Sequence, residues 1–445
     1  MKTGFSKKCI TPPLGSPIVG YYKERRTKGV IDDLYVRAIA FDDGEKKAVC
    51  LDFDLCGLKT ELHNRVKDLV SKETGIDPDA VFTTCQHTHT GPMIGKDFAS
   101  DIESAPEYTE FLMMAARDAA LYALNDLKDS EFFEAETEAK NISFCRRYRM
   151  KDGSAQTNPG VDNPDIDYVL SSANEVVKVI KIKREGANDI CLVNFGTHAD
   201  SVGGEYISAD YPGYVCSTIE AALPGTDCMF LLAPQGDVNH INPFPTEGER
   251  ANTIVDFDNV PRGIEHARHM GRVIAGAVLG VYSIANKIKA DKISFKTKEV
   301  CLPSNQENDK LDEARKICKF YDEGREAELP YKGMELTTAI AGARRIVALE
   351  NGPDSYTFKL VVIKIGDFAI AGMPGEPFTE IATRVYEGSP FKATVLCCLA
   401  NSSGAYVPTR RAYDEGGYEA STSVIKPGGD DILVNGMIEL LNEVK

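Results

Sequence analysis

The sequence predicts an α/β fold with mixed β-sheets flanked by helices, and two observations carry this prediction. Short runs rich in valine, isoleucine and phenylalanine alternate with longer helical patterns along the chain, which is the order of elements found in α/β proteins. Several successive strand-like runs are joined by turns of hairpin length, and such turns connect antiparallel strands. No repeat, low-complexity tract or linker breaks the pattern. We therefore expect one domain spanning residues 1–445.

The predicted elements alternate along the chain. Strands are expected at 35–42 and 48–54, around the turn DDGEKK, and a helix at 58–72 follows them. Further strands are expected at 80–82, 176–183, 189–196, 228–233, 357–365, 367–372 and 393–400, and further helices at 107–128, 263–286, 306–325, 335–350 and 378–387. This order places polar residues directly after several apolar strands.

Composition and charge exclude some classes of protein. Of the 445 residues, 43% are hydrophobic and 27% are charged, as is usual for globular proteins. The net charge of −16 would repel phosphate backbones and anionic headgroups, so nucleic acid is not expected as a partner. No signal-peptide-like segment and no run of about 18 apolar residues is present, so no membrane span is expected. The cysteines form no CxxC pair, which favours a cytoplasmic location over a disulfide framework.

Residues 83–92 read TTCQHTHTGP and follow an apolar run that resembles the end of a strand. In a strand, His87 and His89 would point to the same side, although this geometry need not hold past the strand end. An isolated HxH pair is more often a polar loop than a site, because histidine is commonly only partly buried. Other parts of the chain must therefore decide what the two imidazoles do.

Polar residues follow apolar strands at four places. His87 and His89 follow AVFTTCQ, His198 follows ICLVNFGT, Glu376 follows FAIAGMPG, and Tyr406 follows VLCCLANSSGA. In open α/β sheets, ligands bind outside the carboxyl ends of the strands, so these side chains are candidates for one site. Two imidazoles and a carboxylate form a nitrogen and oxygen set that zinc accepts, with a further position for a weak ligand or water.

Each candidate also has a purely structural explanation. His198 could be a hydrogen-bonded core histidine, and Glu376 could cap the helix expected at 378–387. Tyr406 and Tyr418 could be ordinary half-buried aromatic residues. Spacing along the chain does not decide between these alternatives.

Six motifs, in order, make the chain resemble the neutral (non-lysosomal) ceramidases along nearly its whole length. The family's HTHSGP-type motif is matched by HTHTGP at 87–92, and its asparagine-arginine site by CRR at 145–147. Its second histidine, with an acidic-Gly-Tyr segment, is matched by His198 with SADYPGY. Its GDVSPN loop resembles GDVNHINP at 236–243, its PGE-F-T turn resembles PGEPFT at 374–379, and its YVTT and YE-AST segments resemble YVPTRRAYDEGGYEAST at 406–422.

The resemblance implies an α/β catalytic domain of the ceramidase type with a bound Zn²⁺. Carried over to this sequence, the zinc ligands are His87, His198, Glu376 and Tyr406. The residues beside the reacting carbonyl group are His89, Arg146 and Tyr418.

Two departures from the family limit what the resemblance implies. The family's catalytic serine precedes the GDV loop, but this chain has Ala233 in that region, and the usual asparagine before the arginine is Cys145. The ceramidases also carry a C-terminal immunoglobulin-like domain, whereas this chain ends soon after the AST motif. We therefore expect a smaller, more soluble substrate than long-chain ceramide.

The chemistry expected of such a site is hydrolysis of an amide (N-acyl) bond by metal-activated water, which needs no serine nucleophile. Glu376 or His89 could accept the proton of the water, and Arg146 and Tyr418 could donate to the developing oxyanion. Asp210 and Asp237 are candidates to orient the metal-binding histidines through their free ring nitrogens. Two alternatives remain open, a metal-dependent enzyme acting on a polar carbohydrate-type substrate and a non-catalytic binding protein that keeps the metal.

Overall fold

The structure is a computed structural model that describes residues 1–21, 24–95, 103–306 and 309–445. Its strands of three or more residues are β1 (Lys2–Cys9), β2 (Tyr35–Asp42), β3 (Lys47–Phe53), β4 (Val81–Cys85), β5 (Lys128–Glu138), β6 (Arg147–Met150), β7 (Ala155–Thr157), β8 (Ile166–Val169), β9 (Val176–Arg184), β10 (Asp189–Phe195), β11 (Thr226–Leu232), β12 (Asn286–Ile288), β13 (Ile293–Pro303), β14 (Ser355–Ile365), β15 (Phe368–Gly372) and β16 (Ala393–Cys397). Its α-helices are α1 (Thr60–Thr74), α2 (Pro106–Asn125), α3 (Asp210–Ala222), α4 (Glu247–Ala251), α5 (Ile264–Tyr282), α6 (Leu311–Asp322), α7 (Gly333–Leu349), α8 (Thr379–Gly388), α9 (Arg410–Glu415), α10 (Tyr418–Thr422) and α11 (Gly429–Val444).

Two mixed sheets form the centre of the described structure. The larger has nine strands in the order β11-β10-β9-β5-β1-β2-β3-β4, with β12 paired to β5 outside this path. The smaller has the order β13-β14-β15-β16. In these sheets the pairs β3–β4, β10–β11 and β15–β16 are parallel, and the other pairs are antiparallel. The predicted fold class is confirmed.

Each parallel pair belongs to a strand-helix-strand unit. The units are β3-α1-β4, β10-α3-β11 and β15-α8-β16. Parallel neighbours need such a crossover, because a short hairpin turn can only join antiparallel strands. The strands of these units read as nearly continuous apolar runs and are buried on both faces, as parallel strands covered by helices usually are. Three units therefore supply six strand ends at which polar side chains can be presented.

Buried asparagines connect the units to one another. Asn401, beyond β16, accepts hydrogen bonds from the backbone N–H and the hydroxyl of Thr83 in β4, both at 2.9 Å. Asn194 in β10 donates to the carbonyls of Leu231 in β11 and Leu396 in β16, at 2.8 and 3.0 Å. An amide side chain left unpaired inside the protein would cost free energy, so these bonds fix how the units sit against one another.

The two sheets pack face to face through aromatic side chains. Phe132 of β5 lies between Phe41 of β2 and Phe368 of β15, with ring centroids 6.4 and 5.8 Å apart. Helix α11 covers the outer face of the smaller sheet through residues such as Leu433, Met437 and others of one apolar cluster. Within the described residues, no helix combines the length and the apolar character needed to cross a bilayer.

Most predicted elements are found with shifts of a few residues. The strand expected at 35–42 is β2, the helix expected at 58–72 is α1, and the helix expected at 107–128 is α2 followed by the start of β5. The helix expected at 306–325 is the shorter α6, and residues 307–308 of that prediction lie outside the described residues.

The sequence patterns did not predict β1, β5, β13, α3 or α11. Strand β5 reads KDSEFFEAETE, and its exposed positions are charged, so a strand with one exposed face lacks the apolar run by which the others were recognised. Its place between β9 and β1 is fixed by pairing with both of these strands. Tertiary pairing, rather than local sequence, makes this segment a strand.

A buried ion pair holds the loop that follows β3. Nη1 of Arg37 in β2 donates to both carboxylate oxygens of Asp54, at 2.8 and 3.0 Å, and the backbone N–H of Tyr35 donates to the same carboxylate at 2.8 Å. Both charged side chains are almost completely buried. Removing one partner of such a pair leaves the other charge uncompensated in a low-dielectric interior.

We expect Arg37→Met to lower the free energy of unfolding by about 3–5 kcal/mol, because Asp54 would lose its buried counter-charge. The matched control is Arg65→Met, which breaks an exposed pair with Glu110 and should cost less than about 1 kcal/mol. Urea unfolding of both variants measures the difference. Equal, small losses in both variants would contradict this account of Arg37.

Candidate metal centre

The loops at the carboxyl ends of the three strand-helix-strand units meet at one point. His87 follows β4, His198 follows β10, and Glu376 follows β15. Beyond β16, Tyr406 reaches the same point through a two-residue strand. This is the edge of an α/β sheet at which ligands usually bind.

His87 is held by the loop that follows β3. Its backbone N–H donates to the carbonyl of Leu55 at 2.8 Å, and its φ of 66° lies in the left-handed region, which non-glycine residues rarely adopt. Its ring Nδ1 lies 2.7 Å from the carbonyl oxygen of Cys56. A carbonyl can only accept, so Nδ1 carries a proton and Nε2 is the nitrogen that faces the site.

His198 is held in the same way by the loop that follows β11. Its Nδ1 lies 3.1 Å from the carbonyl oxygens of both Gln235 and Val238. The proton is therefore on Nδ1, and Nε2 is available as a ligand. Burial, reinforced by the charge of Arg146, lowers the pKa of His198 to about 4, so this imidazole is neutral near pH 7.

Glu376 and Tyr406 are placed by backbone pairing. The strands Glu376–Pro377 and Tyr406–Val407 are parallel, with these two residues as partners in the register. Gly375 has a φ of 71°, and a Cβ there would lie 2.3 Å from the carbonyl oxygen of Ala405. The close approach of the two chains at this turn requires glycine.

The four side chains approach one another at ligand spacing. Oε2 of Glu376 lies 3.1 Å from Nε2 of His87 and 3.3 Å from Nε2 of His198, and the hydroxyl of Tyr406 lies 3.3 Å from that same nitrogen of His198. Zinc bonds of about 2.0–2.1 Å in tetrahedral geometry separate neighbouring ligand atoms by about 3.3 Å. The residues therefore fit a zinc ion, and His87, His198 and Glu376 form a group that could hold a metal.

The electrostatics of the group favour a positive charge. Burial works against the charged form of His87, but the carboxylate of Glu376 outweighs it and raises the pKa of His87 well above its usual value. Burial likewise disfavours the charged form of Glu376, and His87 nevertheless holds the pKa of that carboxyl well below its usual range. A buried carboxylate facing two imidazoles thus attracts a cation, whether a proton or a metal ion.

His89 lies beside this group without belonging to it. Its Nε2 is 3.3 Å from Nε2 of His87. In the described part of the chain, the other group close enough to share an ion contains Cys56, His87 and His89, and His89 does not join His198 and Glu376. This position suits a residue that acts next to the ligands.

Arg146 and Tyr418 lie next to Tyr406. Nη2 of Arg146 donates to the Tyr406 hydroxyl at 3.1 Å and to the carbonyl of Gly236 at 3.0 Å, and its Nε donates to the buried carboxylate of Glu419 at 2.5 Å. The rings of Tyr406 and Tyr418 meet edge to face with centroids 5.8 Å apart. The guanidinium charge is thereby fixed beside the phenol oxygen.

Backbone carbonyls, and not Asp210 or Asp237, bind the free ring nitrogens of His87 and His198. The expectation that these carboxylates orient the two histidines is therefore wrong. Asp210 accepts from the backbone N–H groups of Val202 and Tyr211.

Asp237 instead accepts hydrogen bonds from the segment that follows Glu376. Its carboxylate accepts from the backbone N–H of Thr379 at 2.8 Å and from Ser171 at 3.1 Å. Both aspartates lie at loop and helix starts, where a carboxylate satisfies backbone N–H groups that have no partner in the helix. They shape the loops around the site.

Several residues near the centre were not predicted from the sequence. Cys56 follows β3 as His87 follows β4, so its position at a strand end was a usable signal. Asp200 stands two residues after His198 and faces His89, with Nδ1 to Oδ1 at 3.7 Å. Tyr21 and Arg262 hydrogen bond to Asp200 from distant parts of the chain, and no local pattern marks them.

No protein-family model matches the sequence. No curated protein matches it either. The structure aligns over 100% of the chain with the neutral ceramidase from Pseudomonas aeruginosa, with a TM-score of 0.72 and 16% identity, covering 75% of that protein. The chain has the neutral ceramidase fold.

A second neutral ceramidase-like match agrees with the first. A ceramidase complexed with C2 aligns over 100% of this chain with a TM-score of 0.72 and 16% identity, and 76% of it is covered. At this identity the likeness concerns the fold alone.

Asp210 allows a test of electrostatics near the site. Burial raises the pKa of Asp210 from 3.8 to about 7. The folded state then binds this proton more tightly than the unfolded state, so stability that is present below about pH 4 is lost as the pH rises towards 7. At about 1.4 kcal/mol per pKa unit, the loss is at most about 4 kcal/mol.

We expect Asp210→Asn to remove this pH-dependent loss of stability, because an amide side chain does not titrate. Asparagine also tolerates the positive φ of 58° at this position. The difference in unfolding free energy between variant and wild type should shift in favour of the variant between about pH 4 and pH 7. The exposed Asp68→Asn change is the control. A difference that stays constant with pH in Asp210→Asn would contradict the assignment.

Proposed function

We propose that the chain is a zinc-dependent hydrolase that cleaves an amide (N-acyl) bond of a small polar substrate. One observation carries the proposal: ligand atoms of His87, His198, Glu376 and Tyr406 approach to 3.1–3.3 Å in a neutral ceramidase fold. Two imidazole nitrogens, a carboxylate and a phenol oxygen are a donor set that zinc accepts. When bound in such a site, zinc lowers the pKa of water towards about 7 and so makes hydroxide available at neutral pH.

The protein's own groups supply the remaining steps. Glu376 or His89 accepts the proton of the attacking water, because both side chains face the same point as Nε2 of His87. Arg146 and Tyr418 donate to the oxygen that becomes negative when the carbonyl carbon is attacked. Glu419 keeps the guanidinium of Arg146 in position through the hydrogen bond at Nε.

Ala233 is compatible with this reaction. It follows β11 and lies next to Gly196, whose added Cβ would meet the methyl of Ala233 at 3.3 Å. A methyl group cannot replace the hydroxyl that the ceramidases carry in this region. Water activated by a metal needs no side-chain nucleophile, so the proposal does not depend on a serine here.

Polar and charged side chains near His89 favour a polar substrate. The charged side chains of Asp200 and Arg262 and the phenol of Tyr21 lie on the side of His89. The net charge of −16 also disfavours approach to an anionic lipid surface. The same side chains support a second candidate, a metal-dependent enzyme acting on a carbohydrate-type substrate, because carboxylates and guanidinium groups can hydrogen bond to sugar hydroxyls.

We expect one zinc ion per chain in the purified protein. His87→Ala and His198→Ala should lose it on dialysis, since each removes a nitrogen donor from the group. The control is His269→Ala, which changes an exposed histidine of α5. Elemental analysis measures the metal content. Stoichiometric zinc in both site variants would refute the ligand assignment.

We expect His89→Ala, Arg146→Lys and Tyr418→Phe to lower kcat by about 10²–10³-fold while zinc content stays near wild type, because these residues act beside the ligands. Arg149→Lys and Tyr168→Phe are the matched controls and should retain wild-type turnover. The assay uses a panel of N-acetylated amines, N-acyl amino acids, glycosides and short-chain and long-chain ceramides.

The panel also separates the candidate functions. Release of a carboxylic acid from small N-acyl compounds supports the amidase, and hydrolysis of glycosides alone supports the second candidate. Preferred cleavage of long-chain ceramide, abolished in Glu376→Ala, would show that the substrate is a lipid.

A further inference from the structure

The ring of His89 has one nitrogen without a hydrogen bond. Its Nε2 faces His87, whereas its Nδ1 is buried and, among the described residues, finds no donor or acceptor within hydrogen-bond distance. The group that faces Nδ1 is the carboxylate of Asp200, with Oδ1 at 3.7 Å. This is longer than a hydrogen bond. A buried polar atom left unpaired in this way needs an explanation.

The position of the His89 ring is fixed from several sides. Its backbone N–H donates to the carbonyl of Ala199 at 3.0 Å, and its own carbonyl accepts from Nη2 of Arg25 at 2.7 Å. Gly20 packs against it so closely that a Cβ there would lie 2.9 Å from Cβ of His89. Because the ring is held in place, the groups that face its two nitrogens determine which nitrogen carries the proton.

The carboxylate of Asp200 is equally well anchored. Nε and Nη2 of Arg262 donate to its two oxygens at 2.9 and 2.8 Å, and the hydroxyl of Tyr21 donates to Oδ1. The guanidinium carbons of Arg25 and Arg262 lie over the ring of Tyr21, 4.0 and 4.6 Å from its centroid. All these partners are donors, so the oxygens of Asp200 act as acceptors only.

Arg262 is shared with a second carboxylate. Its Nη1 and Nη2 donate to the oxygens of Asp258 at 2.7 and 2.8 Å. Asp200 and Asp258 are therefore similar partners of one buried guanidinium, but in the described structure Asp200 is the one that faces His89. The two residues form a matched pair for experiment.

We propose that Asp200 is the positioning residue of His89. Its Oδ1 accepts the Nδ1–H of the imidazole, with a small closure of the 3.7 Å gap, and so keeps Nε2 unprotonated and directed at the metal centre. The partner of one ring nitrogen decides the tautomer and thus the role of the other. A carboxylate that holds a catalytic imidazole in one tautomer is a known arrangement in hydrolases. The proposal rests on the proposed function in that Nε2 of His89 receives a proton there.

The tautomer can be measured without any activity. We expect two-dimensional proton-nitrogen spectra of the full-length protein with ¹⁵N-labelled histidine, recorded before and after zinc is added, to show His89 protonated at Nδ1. Its signals are assigned by their loss in His89→Gln. Asp200→Ala should shift His89 towards the Nε2–H form, because it removes the acceptor. Asp258→Ala should leave the wild-type tautomer.

Activity gives a second readout. Asp200→Ala should lower kcat by about tenfold or more with KM and zinc content within about twofold of wild type. Asp258→Ala breaks the other ion pair of Arg262, and its kcat should stay within about threefold of wild type. Asp200→Asn should restore much of the lost turnover and the Nδ1–H tautomer, because its amide oxygen can occupy the position of Oδ1.

An Nε2–H form of His89 in the wild type would overturn the proposal, and this spectrum decides even if Asp200→Ala does not fold. Equal effects of Asp200→Ala and Asp258→Ala on tautomer and kcat would also overturn it, since they would indicate a purely structural role. If no compound of the panel is hydrolysed but the tautomers behave as expected, the hydrolase proposal fails and the role of Asp200 stands. If a compound of the panel is hydrolysed but His89 is in the Nε2–H form, the proposed role of Asp200 fails and the hydrolase proposal stands.

Discussion

The site depends on one constraint, the burial of the Glu376 carboxylate between two imidazoles. A buried anion is costly unless positive charge or donors compensate it, and its oxygen has His87 at 3.1 Å and His198 at 3.3 Å. The loops around it must therefore deliver nitrogen atoms to a fixed point. The parallel pairing of Glu376 with Tyr406 and the tight turn at Gly375 determine where that point lies.

The three strand-helix-strand units meet this constraint with the backbone. Each presents its polar loop at the carboxyl end of a buried strand, and carbonyl groups of neighbouring loops accept the Nδ1–H of His87 and His198. Rigid strands limit the freedom of these loops, so little side-chain entropy remains to be lost when a ligand binds. Buried asparagines such as Asn194 and Asn401 keep the units in register with one another.

For the candidate site, the sequence indicated the residues that follow apolar strands. His87, His198 and Glu376 each stand just beyond such a run, where the carboxyl ends of strands place ligands. The supporting residues were not predictable in this way, because Tyr21, Asp200 and Arg262 are brought together from separations of 179 and 62 residues. The strand β5 was missed for a related reason. Its sequence has many charged residues, and pairing with the distant strands β9 and β1 makes it a strand.

The use of main-chain carbonyls to hold the two histidines has an evolutionary consequence. Residues 56, 235 and 238 contribute their backbone oxygen to these contacts, so their side chains can change without moving the imidazoles. Substitutions can therefore accumulate around the centre while its geometry persists. The chain keeps the fold of a neutral ceramidase at 16% identity, so most side chains differ between the two while the fold is the same.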